Sequence, residues 1–156
     1  MKEKLLKGDQ VGDMTYKVHL DGYDLGPALT GKAVWPRREF IYWTDDGSVA
    51  ALRYDQWKVT FLRQNAHGLH VWIEPFEVLR APLLGNLRTD PFERADFNSN
   101  TYWDWLIDHA FLLVPAQAYV GQFLATFKEF PQRQKADTFN LDAVLLEQTL
   151  LLRHIH

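Results

Sequence analysis

Apolar and aromatic positions in the first half of the chain fall into short runs of about strand length. Glu39 to Thr44 (EFIYWT), Ser48 to Tyr54 (SVAALRY) and Trp57 to Arg63 (WKVTFLR) are rich in β-branched and aromatic residues and separated by short turns, which predicts three strands. Asp45-Asp46-Gly47 is a tight hairpin signal. A looser turn at residues 64–68 leads to a fourth strand predicted over Leu69 to Ile73. Pro75 and Pro82 then bracket a stretch with a fainter strand pattern, and Leu83 to Leu87 predicts a last short strand. Strands in succession joined by hairpin-length loops predict an antiparallel meander.

The period then changes from two to nearly four. Asn98-Ser99-Asn100-Thr101 supplies capping side chains, after which Trp103, Leu106, Ile107, Ala110, Phe111, Leu113 and Val114 fall on one helical stripe. Pro115 is expected to interrupt or kink that helix. The pattern resumes with Val120, Phe123, Leu124 and Phe127 until Phe130-Pro131 ends it. A last amphipathic helix is predicted from Leu141 to about Leu152. Strands first and helices afterwards predict an α+β fold, with an antiparallel sheet of about four strands packed against C-terminal helices.

The first 38 residues read differently, as a connecting segment before a sheet-plus-helix unit over residues 39–156. They are polar, with a turn at Asp21-Gly22 and a short helical piece ending at Gly31. Their charges stand where an export signal needs a continuous apolar stretch, so no signal peptide is expected in these residues and the compartment stays open.

Composition narrows the function classes. A net charge of -3 with mixed signs offers no broad basic face, which argues against nucleic acid as a partner. The absence of cysteine removes disulfides, thiolate metal sites and a cysteine nucleophile together. Residues 110–127 carry no charge over a length close to a membrane span, but Gln117, Gln122, Pro115 and Gly121 interrupt them, and a helix buried against protein is expected instead. Six tryptophans are more than such a sheet and its helices must bury, which predicts an exposed aromatic surface and self-association through it.

Candidate chemistry is sparse. His67 and His70 lie three apart, and His154 and His156 two apart, with no third ligand in a recognisable pattern, so no metal site is expected. Asp45-Asp46 is read as the hairpin turn and not as a cation site. The two serines have structural explanations, Ser48 after a turn glycine and Ser99 in a helix cap. The glycines match neither a dinucleotide loop nor a P-loop. No catalytic residue is assigned and substrate-binding residues remain unknown. Trp72, His67 and His70 are the candidate contacts if the chain is a free-standing module for a sulfated or aromatic ligand; an independent hydrolase using carboxylates is a third, weaker reading.

The stretch Asn86 to Glu93 (NLRTDPFE) stands out as a structural turn. Pro91 fixes its own φ and biases Asp90 away from the helical region, the Asp90 carboxylate is placed to accept from backbone amides ahead, and Glu93 to do the same or to meet Arg88 or Arg94. Such a turn aims the chain from sheet into helix.

These stretches, in their order, resemble type I (formylglycine-dependent) sulfatases. His19-Leu20-Asp21-Gly22-Tyr23-Asp24 and Leu29-Thr30-Gly31-Lys32 are similar to the segment that closes the catalytic domain in that family. Glu39-Phe40-Ile41-Tyr42, Ala51-Leu52-Arg53, Trp57-Lys58 and Asn86 to Glu93 then follow in the family's order. Asp104 to His109 (DWLIDH) and Leu113 to Gln117 (LVPAQ) resemble a bacterial arylsulfatase branch. The resemblance covers about residues 10 to 140. It implies a C-terminal subdomain of four antiparallel strands carrying a helix, with a sulfatase catalytic domain as partner, and a periplasmic or cytoplasmic parent enzyme.

The resemblance also implies where the chemistry sits. Family members oxidise a Cys or Ser in C/S-x-P-x-R to formylglycine, beside a calcium held by acidic residues and Asn. This chain has no cysteine, and neither Ser48 nor Ser99 starts such a motif. Calcium and formylglycine are therefore expected only in the catalytic domain, and no cofactor in these residues.

Overall fold

The computed structural model describes residues 1–132, and they form an α+β fold around one four-stranded antiparallel sheet. Ahead of the sheet lie a short helix α1 (Lys2–Lys7), a small hairpin of β1 (Asp9–Val11) and β2 (Met14–Tyr16), and one helical turn, α2 (Gly26–Leu29). The sheet is β3 (Glu39–Trp43), β4 (Val49–Tyr54), β5 (Trp57–Arg63) and β6 (Glu77–Asn86), neighbours in sequence being neighbours in space. Helices α3 (Ala95–Asn98), α4 (Tyr102–Asp108) and α5 (Leu113–Ala125) follow, with single 3₁₀ turns before and after α5. The helix expected from Leu141 to Leu152, with His154 and His156, lies outside the described residues.

Local chemistry explains both tight hairpins. At the first, Gly47 takes φ +80°, its amide bonds the Thr44 carbonyl, and the Thr44 hydroxyl accepts from the Ser48 amide. At the second, Tyr54 pairs with Trp57 across a two-residue turn in which Asp55 takes φ +51°, a region aspartate tolerates.

Leu69 to Ile73 is not a strand. Gly68 to Trp72 form a 3₁₀ turn, entered at Gly68 with φ +62°. Leu69, Trp72 and Ile73 all point into solvent, so the apolar residues there serve no sheet face. The sheet leaves no position for such a strand, because β5 pairs directly with β6, Arg63 opposite Glu77. Gln64 closes the excursion by donating to the Glu74 carbonyl at 3.0 Å.

The faint stretch between Pro75 and Pro82 and the short strand expected at Leu83 to Leu87 are one strand, β6. Thr60 faces Leu83 while Leu62 faces Val78, so residues 79–82 bulge opposite Phe61. Pro82 sits in that bulge, where its missing N–H breaks no ladder bond.

Register sorts the sheet into two faces. Ile41, Leu52, Val59 and Leu84 form one row, packed with Tyr102, Leu106 and Ala116 into the core beneath α4 and α5. Phe40, Arg53, Lys58 and Gly85 form the row on the opposite face. On the outer edge of β6 the Tyr102 hydroxyl donates to the Leu84 carbonyl (2.8 Å) and accepts from the Leu84 amide (3.2 Å), satisfying backbone groups that no strand reaches. Burial pushes the Tyr102 hydroxyl pKa up.

The helical stripe divides where the sequence pattern treats it as continuous. The chain breaks at His109, and Leu106 turns inward with Tyr102 and Trp105, while Trp103, Ile107, Phe111 and Val114 face out. Pro115 does not kink a helix; it lies in the first turn of α5, where an amide has no partner to lose. The second stripe packs as expected at Phe123 and Phe127, whose rings sit 6.0 and 6.1 Å from Trp43.

Candidate functional site

The Asp90 turn joins β6 to the helices through side-chain bonds to both. Asn86 makes the short-range turn, its Oδ1 accepting from the Arg88 amide at 3.1 Å and its carbonyl from the Asp90 amide at 2.8 Å. Asp90 Oδ2 accepts from the Ala95 amide at 2.8 Å, at the start of α3. Glu93 meets neither Arg88 nor Arg94. With φ +54° it folds back over the sheet, where its carboxylate lies 2.7 Å from Lys58 Nζ. Lys58 also sits 4.8 Å from the Tyr42 ring centroid. Asp96, nearly buried, pairs with Arg63. Together these bonds hold residues 90–97 over the β5–β6 half of the sheet's second face, enclosing a pocket of about 210 Å³.

The β3–β4 half of that face is open. Phe40, Tyr42 and Arg53 line it from the strands, Trp35 and Arg37 from the segment before β3, and Arg88 from the Asp90 turn, around a groove of about 890 Å³. Glu39 stands at its edge and joins three parts of the chain. Its carboxylate accepts from the Tyr23 hydroxyl and, at 3.2 Å, from the Arg38 amide, and it is bonded to Tyr119 of α5. Burial alone would raise the Glu39 pKa, but these hydrogen bonds outweigh it and hold the carboxyl below its usual range. Burial first, and the Glu39 charge second, push Tyr119 up to about 12. Asp55 is depressed chiefly by its bonds to Arg38.

The outward side of α4, α5 and the 3₁₀ turn between them exposes large apolar side chains. Trp103 and Ile107 of α4, Phe111 of the 3₁₀ turn and Val114 of α5 are 57%, 69%, 67% and 70% exposed. Residues Ala110–Lys128 are long and apolar enough to cross a membrane, with a mean hydropathy of 1.4, and only 6% of that window is fully buried within the chain. Its inner side nonetheless packs on the sheet through Leu112, Leu113, Ala116, Tyr119 and Val120.

The remaining candidates stay apart. His67, His70 and Trp72 sit in or beside the exposed 3₁₀ turn. Among the described residues no group of three His, Asp or Glu side chains gathers that could hold a metal ion. Ser48 belongs to its hairpin turn, and Ser99 Oγ lies 3.5 Å from Thr101 Oγ1. What sequence reasoning missed is the Tyr23–Glu39–Tyr119 cluster and the Arg38–Asp55 pair. Their partners lie 16, 80 and 17 positions apart, and only hairpin register and helix placement bring them together.

No family model and no curated protein matches this chain.

Proposed function

We propose that the chain is the non-catalytic C-terminal portion of an arylsulfatase-like sulfuric ester hydrolase, completing the fold and contributing to the substrate cleft of a formylglycine-bearing catalytic domain supplied in the same or another polypeptide. The carrying observation is the uncovered apolar stripe of Trp103, Ile107, Phe111 and Val114 on helices whose other side is already packed. A stripe of four large apolar side chains in water is the mark of a surface that another body covers. The stretches that resemble the sulfatases also converge in space: Trp57 of β5 faces Asn86 of β6, and Lys58 pairs with Glu93 of the turn. The absence of the family's nucleophile motif from the 156 residues supports a reading in which the aldehyde chemistry belongs to a partner domain.

The test is reconstitution. The purified chain, given an aryl sulfate with and without calcium, is expected to show no turnover. Co-expressed with a formylglycine-bearing arylsulfatase catalytic domain lacking its own C-terminal subdomain, it is expected to co-purify and restore turnover. Turnover by the chain alone, or failure of the two to associate, overturns the reading.

A further inference from the structure

We propose that the groove on the open half of the sheet's second face binds an organic oxyanion, a ring compound bearing a sulfate, phosphate or carboxylate group. The first reason is charge. Four arginines and two carboxylates line the groove in a chain whose net charge is -3, so a local positive excess runs against the molecule's overall sign.

Both carboxylates are already occupied. Asp55 takes Arg38 Nε at 3.0 Å and a second bond from the same guanidinium, while Arg53 Nε donates to the Asp55 carbonyl at 2.9 Å. Glu39 is bonded to Tyr23 and to the Arg38 amide. Arg88, by contrast, makes no ion pair among the described residues, and Arg37 faces only the rings of Tyr23 and Phe40, at 5.6 and 6.0 Å. Guanidinium groups without a carboxylate are the natural ligands of sulfate, phosphate and carboxylate, which they grip through paired N–H donors.

The second reason is shape and lining. At about 890 Å³ the groove is far larger than a bare oxyanion and falls within the size of small-molecule sites. Trp35 and Phe40 present exposed rings there, and an aromatic or sugar ring stacks on such faces while its anionic substituent meets the arginines. The position of Arg88 is set by the turn itself, since its amide is held by Asn86 Oδ1. The Asp90 turn therefore carries an unpaired cation to the rim of the groove besides steering the chain into its helices.

Binding is measured on the whole chain by fluorescence anisotropy of 2-naphthyl sulfate, 2-naphthyl phosphate and 2-naphthoate, which reads out in any oligomeric state and needs no catalytic domain. At least one anion is expected to bind saturably, and the ranking of the three assigns the anionic group. Neutral 2-naphthol, and inorganic sulfate as a competitor, are expected to be weaker by about tenfold or more, since each lacks half of the recognition. Arg88→Gln and Trp35→Ala, both at exposed side chains, are each expected to weaken binding about fivefold or more with an unchanged far-UV circular dichroism spectrum. The proposal is overturned if no anion binds, if both variants bind like the parent, or if naphthol or sulfate alone binds as tightly. Displacement of the naphthyl anions by an oligoglutamate peptide of higher affinity also overturns it, in favour of an acidic protein segment.

Discussion

Glu39 is the residue through which the segment before the sheet, the edge strand and α5 are tied together, because one carboxylate accepts from Tyr23, Tyr119 and a backbone amide. Its depressed pKa has a direct consequence for stability. A group whose folded pKa lies below its unfolded value contributes stability above the unfolded value, near pH 4.3, and loses it as pH falls through the folded value. Glu39→Gln removes that proton uptake, so its acid unfolding curve is expected to be shallower below about pH 4.3 than the parent's. Parallel curves, offset but of equal slope in urea titrations at stepped pH, would exclude the cluster as a contributor. Tyr119 works in the opposite sense: its contribution is complete below about pH 10, the ordinary tyrosine value. It is lost as pH rises toward the folded value of about 12. None of this was legible in the sequence, since Glu39 reads there as the polar start of a strand and its partners are set by tertiary placement.

At the scale of elements the pattern was read well where one face of an element does one job. β3, β4 and β5 fall within a residue of their expected bounds, because hydrophobic runs broken by Asp45-Asp46-Gly47 and Asp55-Gln56 carry both strand and turn chemistry. The reading failed at residues 69–73, where a β-prone composition faces solvent and the pairing of Arg63 with Glu77 excludes a further strand. It failed again at Pro115, since a helix boundary at His109 was not visible in a stripe that runs through it. This difference is measurable. In a helix interior, replacing proline by alanine would stabilise the chain by about 3 kcal/mol. In the first turn of α5, Pro115→Ala is expected to change the urea unfolding free energy by less than about 1 kcal/mol. A gain near the larger figure would place the proline inside a continuous helix.

For the whole molecule, seven apolar side chains among the described residues are buried, and a long stripe of large ones is not. The purified chain is therefore expected to self-associate and to bind a hydrophobic dye when no partner covers the stripe. The double variant Trp103→Lys and Phe111→Lys places two charges on largely exposed side chains, at the loss of the edge contact of Trp103 with the Tyr102 ring at 5.2 Å. It is expected to run as an 18.2 kDa monomer in light scattering and to lose most of the dye signal. A parent that is already monomeric and dye-free contradicts the association, and flotation of the parent with lipid vesicles assigns the stripe to a membrane instead.

The amino-acid sequence by itself determined the α+β layer order, the meander, the tight hairpin at Asp45-Asp46-Gly47 and the absence of a formylglycine motif. Each depends on spacing or on residue type within a few neighbours. Tertiary structure alone decided which side of α4 and α5 stays uncovered, that Glu93 reaches Lys58, and that Arg88 meets Trp35, Phe40 and Arg53 around one groove. The physical reason is that periodicity states how apolar a stripe is but not how wide the surface opposite it will be. Charge pairing, likewise, acts over a few ångströms between groups that lie tens of residues apart along the chain.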